Sequence, residues 1–259
     1  MRRDSGMRRE RLECESLKQI YVVGIGPGEY EQMTLKAIHA LEASDVIIGY
    51  TVYVDLVKER YPEKKYITTP MTREVQRCQM ALEEARTGET VAMICSGDSG
   101  VYGMAALLYE LRGESREPEI EVIPGLTAAC SGGALLGAPL THDFSVISLS
   151  DRLTPWEKIE KRLECAARGD MSIVLYNPMS KGRPENLKRA CDILMRYIPG
   201  DRPCGIAHSI GREGEACSFL TLKELRDAET DMFSTVFIGN AMTRMIGEKM
   251  VTPRGYRNV

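Results

Sequence analysis

The sequence predicts an α/β protein made of two consecutive α/β domains with a cleft between them, and three observations predict it. Short β-branched runs alternate with segments of helical periodicity from residue 19 onward, the grammar of βαβ units and a largely parallel sheet. Three of those runs in the first half end in glycine-containing loops. A glycine-rich stretch followed by proline, Ser131-Gly132-Gly133-Ala134-Leu135-Leu136-Gly137-Ala138-Pro139-Leu140, then interrupts the pattern before it resumes, which sets the domain boundary near residues 138–143.

Residues 1–18 carry five arginines by position 11 and no apolar run after them, so they are expected to be a flexible N-terminal extension. Residues 19–140 form the expected N-terminal α/β domain, with strands at 20–23, 45–48, 91–95 and 120–123. Between them, Leu35, Ile38 and Leu41, and likewise Val75, Cys78, Leu82 and Ala85, recur at helical spacing as core stripes. Residues 141–259 form the expected C-terminal α/β domain, with strands at 144–149, 172–176, 205–208, 216–220 and 235–238. Thr154-Pro155-Trp156-Glu157 reads as a capping threonine, a first-turn proline and a reciprocating glutamate. Thr221 with Glu224 repeats the box, and Arg183-Pro184 opens a further helix.

Composition narrows the partners. A chain of 259 residues, 43% apolar, can bury a full core. Its net charge of -3, from 34 basic and 37 acidic side chains, offers no global positive field for a nucleic acid or an anionic membrane. No stretch approaches the roughly 18 apolar residues of a membrane span. The eight cysteines show no C-x-x-C spacing and several sit in apolar runs, so reduced thiols in a cytoplasmic protein are expected, with no metal site. A small-molecule partner is the expectation that remains.

The first loop, Gly24-Ile25-Gly26-Pro27-Gly28-Glu29, lets a ligand approach the backbone closely. It lacks the third glycine of a dinucleotide fingerprint, since Glu29 stands there, and Pro27 removes an amide donor. The second, Cys95-Ser96-Gly97-Asp98-Ser99-Gly100-Val101-Tyr102-Gly103, places an acid that accepts hydrogen bonds from a cationic or hydroxyl-bearing ligand and repels a phosphate. The third, Pro124-Gly125-Leu126-Thr127-Ala128, is small enough for a flat group to lie close. Taken singly, the first two loops are also readable as structural turns.

These loops, together with Ala138-Pro139-Leu140-Thr141-His142-Asp143-Phe144, resemble the tetrapyrrole methylases, the class III methyltransferases, over about residues 19–250. Within that family, Thr141-His142-Asp143-Phe144, Leu175-Tyr176-Asn177-Pro178-Met179-Ser180-Lys181 and Ile238-Gly239-Asn240 are similar to the branch that methylates carbon 17 of precorrin-3B in cobalamin biosynthesis. The resemblance implies a tetrapyrrole methylase-like fold, S-adenosylmethionine as methyl donor, a corrinoid tetrapyrrole as substrate and a homodimer. It implies donor contacts at Pro27, Gly97, Asp98, Val101, Thr127 and Ala128, completed from the second domain by Tyr176, Asn177 and Ile210. Relatives commonly carry proline where this chain has Ser99, which puts the local turn geometry in question.

Transfer of a methyl group from a sulfonium is an in-line displacement, so alignment and exclusion of water matter more than a nucleophilic side chain. The ring contraction coupled to it calls for an acid-base group. Of the three histidines, His39 lies on a core-periodic helix, His208 ends a strand, and His142 with Asp143 follows the interdomain proline, making that pair the catalytic candidates. Substrate carboxylates call for basic residues, chosen as Lys181, Arg183 and Arg212, with Arg73 and Arg152 secondary. A nicotinamide-dependent oxidoreductase, a non-catalytic S-adenosylmethionine-binding protein and a corrin-pathway methylase with another target carbon are the competing readings.

Overall fold

The computed structural model describes residues 19–180 and 182–256. The expected extension at 1–18 lies outside the described residues. The first half runs β1 (Gln19–Gly24), α1 (Leu35–Ala43), β2 (Val46–Tyr50), α2 (Thr51–Asp55), β3 (Lys65–Thr69), α3 (Glu74–Arg86), β4 (Val91–Cys95), α4 (Ala105–Arg112), β5 (Glu119–Ile123) and α5 (Ala128–Leu136). After the two-residue β6 (Gly137–Ala138) come β7 (Phe144–Ser148), α6 (Trp156–Arg168), β8 (Ser172–Tyr176), α7 (Asn186–Leu194), β9 (Pro203–His208), β10 (Ala216–Thr221), α8 (Leu222–Leu225), β11 (Ser234–Ile238), β12 (Arg244–Ile246) and β13 (Lys249–Val251).

Five strands of the first half form a parallel sheet in the order β3-β2-β4-β1-β5. Strand alternation sorts its core: Ile20 and Val22 of β1 pack with Cys78, Leu82 and Ala85 of α3, and Val23 packs with Ala37, Ala40 and Leu41 of α1. Both predicted stripes are therefore core, except at their first members. Leu35 is 73% exposed and Val75 49%, because each belongs to its helix's first turn, beyond the cover of the sheet. Strand β3, with mostly half-exposed side chains at the sheet edge, escaped the sequence pattern for the same reason.

The second sheet, β10-β9-β11-β8-β7, corrects the expectation of a largely parallel arrangement. Only β7 and β8 are parallel, while β9 pairs antiparallel with both β10 and β11, and β8 with β11. A short loop joins β9 to β10 with no crossover helix, and such a connection returns the chain antiparallel. Helices α6, α7 and α8 cover one face of this sheet, through Ile159, Leu163, Leu187 and Leu222 against Ile206 and Val236.

The other face is covered by α5, which includes most of the glycine-rich stretch that precedes the expected domain boundary. Its glycines serve packing: a Cβ on Gly132 would meet Ile210 and Phe237 at 2.9–3.0 Å, so their absence lets helix and sheet approach closely. Two helix starts also separate. Thr221 and Glu224 form the expected capping box, with the Glu224 carboxylate accepting from the Thr221 amide and hydroxyl. Thr154 does not cap α6: Pro155, extended at φ -55 and ψ 142, is the N-cap residue and brings no side-chain hydrogen bond.

Candidate functional site

Strands β4, β1 and β5 are neighbours, so their carboxyl ends bring the three glycine loops side by side, where an open α/β sheet takes its ligand. The loops are knitted together. The Gly26 amide donates to the Gly97 carbonyl at 3.1 Å and the Gly97 amide to the Gly26 carbonyl at 2.7 Å. Asp98 binds the remaining edges: its Oδ1 accepts from the amides of Gly100 and Val101, and its Oδ2 from that of Gly125, at 2.8–3.0 Å. Gly97 takes φ +70, a left-handed conformation, and a Cβ on Gly125 would land on the carbonyl oxygens of Gly97 and Gly24. The departure at Ser99 has a local explanation, since its buried hydroxyl donates to the Ile123 carbonyl at 2.9 Å and ties this loop to the end of β5.

The opposite wall comes from the second sheet. Tyr176, at the end of β8, has its hydroxyl 2.5 Å from Thr127 Oγ1 and accepts from the Ala129 amide at 2.7 Å, capping the start of α5. Burial raises the pKa of this phenol, against the two hydrogen bonds, so it is held as the neutral phenol at neutral pH. Tyr102, at φ +54, reaches from the second glycine loop to β7, donating to the Val146 carbonyl at 3.0 Å and accepting from the Ser148 amide at 3.2 Å. Its ring lies 5.8 Å from that of Tyr176. From the loop after β9, Arg212 crosses back: Nε donates to the Pro27 carbonyl and Nη2 to Ser96 Oγ, both at 2.8 Å.

One cavity results, lined by Pro27, Gly97, Asp98, Val101, Thr127, Ala128, Tyr176 and Ile210 among the expected donor contacts, and by Arg212. Asn177 is not in its wall; at φ +52 it turns its amide to Ser148 Oγ at 3.0 Å. Ser209, from the His208-Ser209-Ile210 segment that the resemblance also implies, lines the cavity too, and Tyr53, Ser96, Met232, Phe233 and Thr235 line it without having been expected there. Of those five, Ser96 was within reach, as the residue between β4 and Gly97.

The structure does not bring the catalytic candidates His142 and Asp143 to this cavity. They precede β7, whose far end, Ser148, pairs with Tyr176 at the cavity wall. A five-residue strand puts them roughly 16 Å from it. His142 instead holds the Pro253 carbonyl through Nε2 at 3.1 Å, pinning the C-terminal segment, and the Asp143 carbonyl accepts from the Ser172 amide. His208 has the strand parity of Cys204 and Ile206, which face α6–α8, whereas Thr235 and Phe237 face the cavity side. Its Nε2 lies 3.1 Å from Asp231 Oδ2. His39 is exposed on α1.

Among the expected substrate contacts, Lys181 lies outside the described residues. Arg183 turns inward to Ser180 Oγ and Ser150 Oγ and is absent from the cavity lining. Arg73, at the N-cap of α3, and Arg152 are exposed. Among the described ones, Arg212 alone stands in the cavity.

A parallel five-stranded sheet whose carboxyl-end loops share a cavity with a second, mixed sheet defines a two-sheet α/β protein with a cavity between its halves. The chain belongs to the tetrapyrrole (corrin/porphyrin) methylases, whose family model matches residues 19–226. It is 46% identical to the probable cobalt-factor III C(17)-methyltransferase of Salmonella typhimurium, over 91% of this chain and 98% of that one. The crystal structure of the methyltransferase CobJ superposes with a TM-score of 0.84 at 38% identity, covering 91% of this chain and 99% of that chain. A uroporphyrin-III C-methyltransferase from Thermus thermophilus, complexed with S-adenosyl homocysteine, shares the fold at a TM-score of 0.67 and 22% identity, covering 85% and 97% of the two chains. Some relatives are longer: the chain spans 45% of the cobalt-factor III methyltransferase of Priestia megaterium, at 45% identity over 92% of its own length.

Proposed function

We infer that the chain transfers a methyl group from S-adenosylmethionine to carbon 17 of a corrinoid tetrapyrrole, precorrin-3B or its cobalt-bound counterpart, with contraction of the ring, in cobalamin biosynthesis. The observation that carries the reading is that eight of the nine residues expected to touch the donor line one cavity between the halves. The names of two of its relatives, both for cobalt-factor III, support a cobalt-bound substrate. A homodimer is part of the same reading, and light scattering on the purified protein tests it.

The cavity suits the donor. Gly97 presents bare backbone, with nothing closer than 3.7 Å to where a Cβ would stand, and Thr127 and Ala128 keep the floor flat. Val101, Ile210 and Met232 add apolar wall, and Pro27, Gly97, Asp98, Val101, Thr127, Ala128, Tyr176 and Ile210 would hold the donor. When bound, S-adenosylmethionine supplies an electrophilic methyl group on a sulfonium.

The chain's own task in that step is alignment and dryness. The Tyr102 and Arg212 bridges fasten one wall to the other, which holds reacting partners at one separation and narrows the way for water. Ring contraction also needs a proton moved at an oxygen, and no histidine lines the cavity. Its ionisable or hydroxyl side chains are Tyr53, Ser96, Asp98, Thr127, Tyr176, Ser209, Arg212 and Thr235. Asp98 is committed to three backbone amides, and the Tyr176 hydroxyl to Thr127 and Ala129. The test is incubation with S-adenosylmethionine and each substrate form, followed by mass spectrometry and optical spectroscopy of the products. A methylated, ring-contracted product is expected, and its absence with both forms would overturn the carbon-17 assignment.

A further inference from the structure

Tyr53, Ser96 and Arg212 all line the cavity. Arg212 commits Nε to Pro27 and Nη2 to Ser96, leaving Nη1 without a hydrogen bond among the described residues. Ser96 Oγ accepts from Arg212, so its own hydrogen remains available to donate. The Tyr53 ring packs edge-on against Tyr50 at 5.1 Å and lies 5.7 Å from the guanidinium, and among the described residues its hydroxyl has no hydrogen-bond partner.

Among the described residues no carboxylate lies within 4.0 Å of Arg212. Burial lowers its pKa, with Tyr53 the one group pulling the other way. The nearby acid in the wall, Asp98, has both oxygens occupied by amides of its own loops. A partly desolvated cation of this kind is costly alone and is relieved by an anion placed against it. The planar fork, bonded to the Ser96 hydroxyl and set beside Tyr53, has the shape and polarity of a carboxylate receptor.

We propose that Tyr53, Ser96 and Arg212 form a carboxylate-binding subsite of the cavity. Two sources carry that group, the amino-acid end of the methyl donor and a carboxylate side chain of the macrocycle. The proposal rests on the methyl-transfer reading above.

The experiment compares the unmodified protein with Tyr53→Phe, which keeps the ring and its packing, and with Arg212→Gln. Calorimetry measures binding of S-adenosylhomocysteine and of 5′-methylthioadenosine, which lacks the amino-acid end, and steady-state kinetics measure KM for the corrinoid. If the donor supplies the carboxylate, S-adenosylhomocysteine binds about tenfold or more weakly in both variants, while methylthioadenosine is unaffected. If the macrocycle supplies it, both nucleosides bind as before and KM for the corrinoid rises by about tenfold with kcat little changed. Either outcome supports the subsite. An unchanged Tyr53→Phe, with Arg212→Gln weakening both nucleosides alike or changing nothing, would overturn it and leave Arg212 a latch on the Pro27 loop. Failure of the unmodified protein to bind either nucleoside would overturn the methyl-donor reading, and the subsite with it.

Discussion

Replacing Gly125 by alanine tests the interlock of the three loops most directly. The added Cβ would sit on the carbonyl oxygens of Gly97 and Gly24, both backbone atoms with no rotamer to move. Restoring van der Waals contact requires the ends of β1, β4 and β5 to part by roughly an ångström. That overpacking costs about 1–3 kcal/mol. It also stretches the 2.9 Å bond from the Gly125 amide to the Asp98 carboxylate. A hydrogen bond to a charged group contributes about 1.5–3 kcal/mol, so losing it as well brings the sum to about 2.5–6 kcal/mol. A domain of this kind has about 5–15 kcal/mol in total, so Gly125→Ala is expected to be severely destabilised and to lose S-adenosylhomocysteine binding. Gly97→Ala is the companion: its Cβ meets nothing within 3.7 Å, so only the left-handed backbone at φ +70 is charged, at about 1–2 kcal/mol. Urea denaturation of the two variants beside the parent decides it. Equal stability losses, or a Gly125→Ala protein within about 0.5 kcal/mol of the parent, would refute the interlock.

Three further outcomes follow from the same geometry. Asp98→Asn turns one of three acceptor contacts into a donor facing an amide, and is expected to cost about 1–3 kcal/mol and to weaken nucleoside binding, measured by denaturation and calorimetry. Tyr102→Phe removes both hydrogen bonds to β7 and is expected to cost about 1–2 kcal/mol while speeding proteolysis within residues 98–104; an unchanged cleavage rate would show the bridge to be idle. The pKa of Asp231 is lowered: burial raises it, but hydrogen bonds with His208, Ser234 and the Phe233 amide outweigh that. Its contribution is present above the ordinary aspartate value and is lost as pH falls through the depressed one, so Asp231→Asn should flatten the acid limb of a stability-versus-pH curve.

How much of this was legible depended on how local the signal was. Most strands and the first-half core were readable because alternation and helical spacing are imposed by burial on each element separately, as with Val22 and Leu82. The cavity was half readable, because a loop needing positive φ or close backbone contact must be glycine, as at Gly97 and Gly125. Helix α5 went unpredicted for a related reason: Gly132 breaks a helical pattern until Phe237, more than a hundred positions away, is placed against it.

The sequence by itself determined the α/β class, the three loops and the family, since each is written in contiguous residues whose backbone needs are chemical and local. Tertiary structure decided which polar groups share the cavity. Tyr53, Ser96 and Arg212 meet only because β2, β4 and the loop after β9 end at one place, and His142 and His208 are carried away by strand direction and strand parity. Strand pairing and side-chain facing are set by contacts between distant segments, which no single stretch of the chain records.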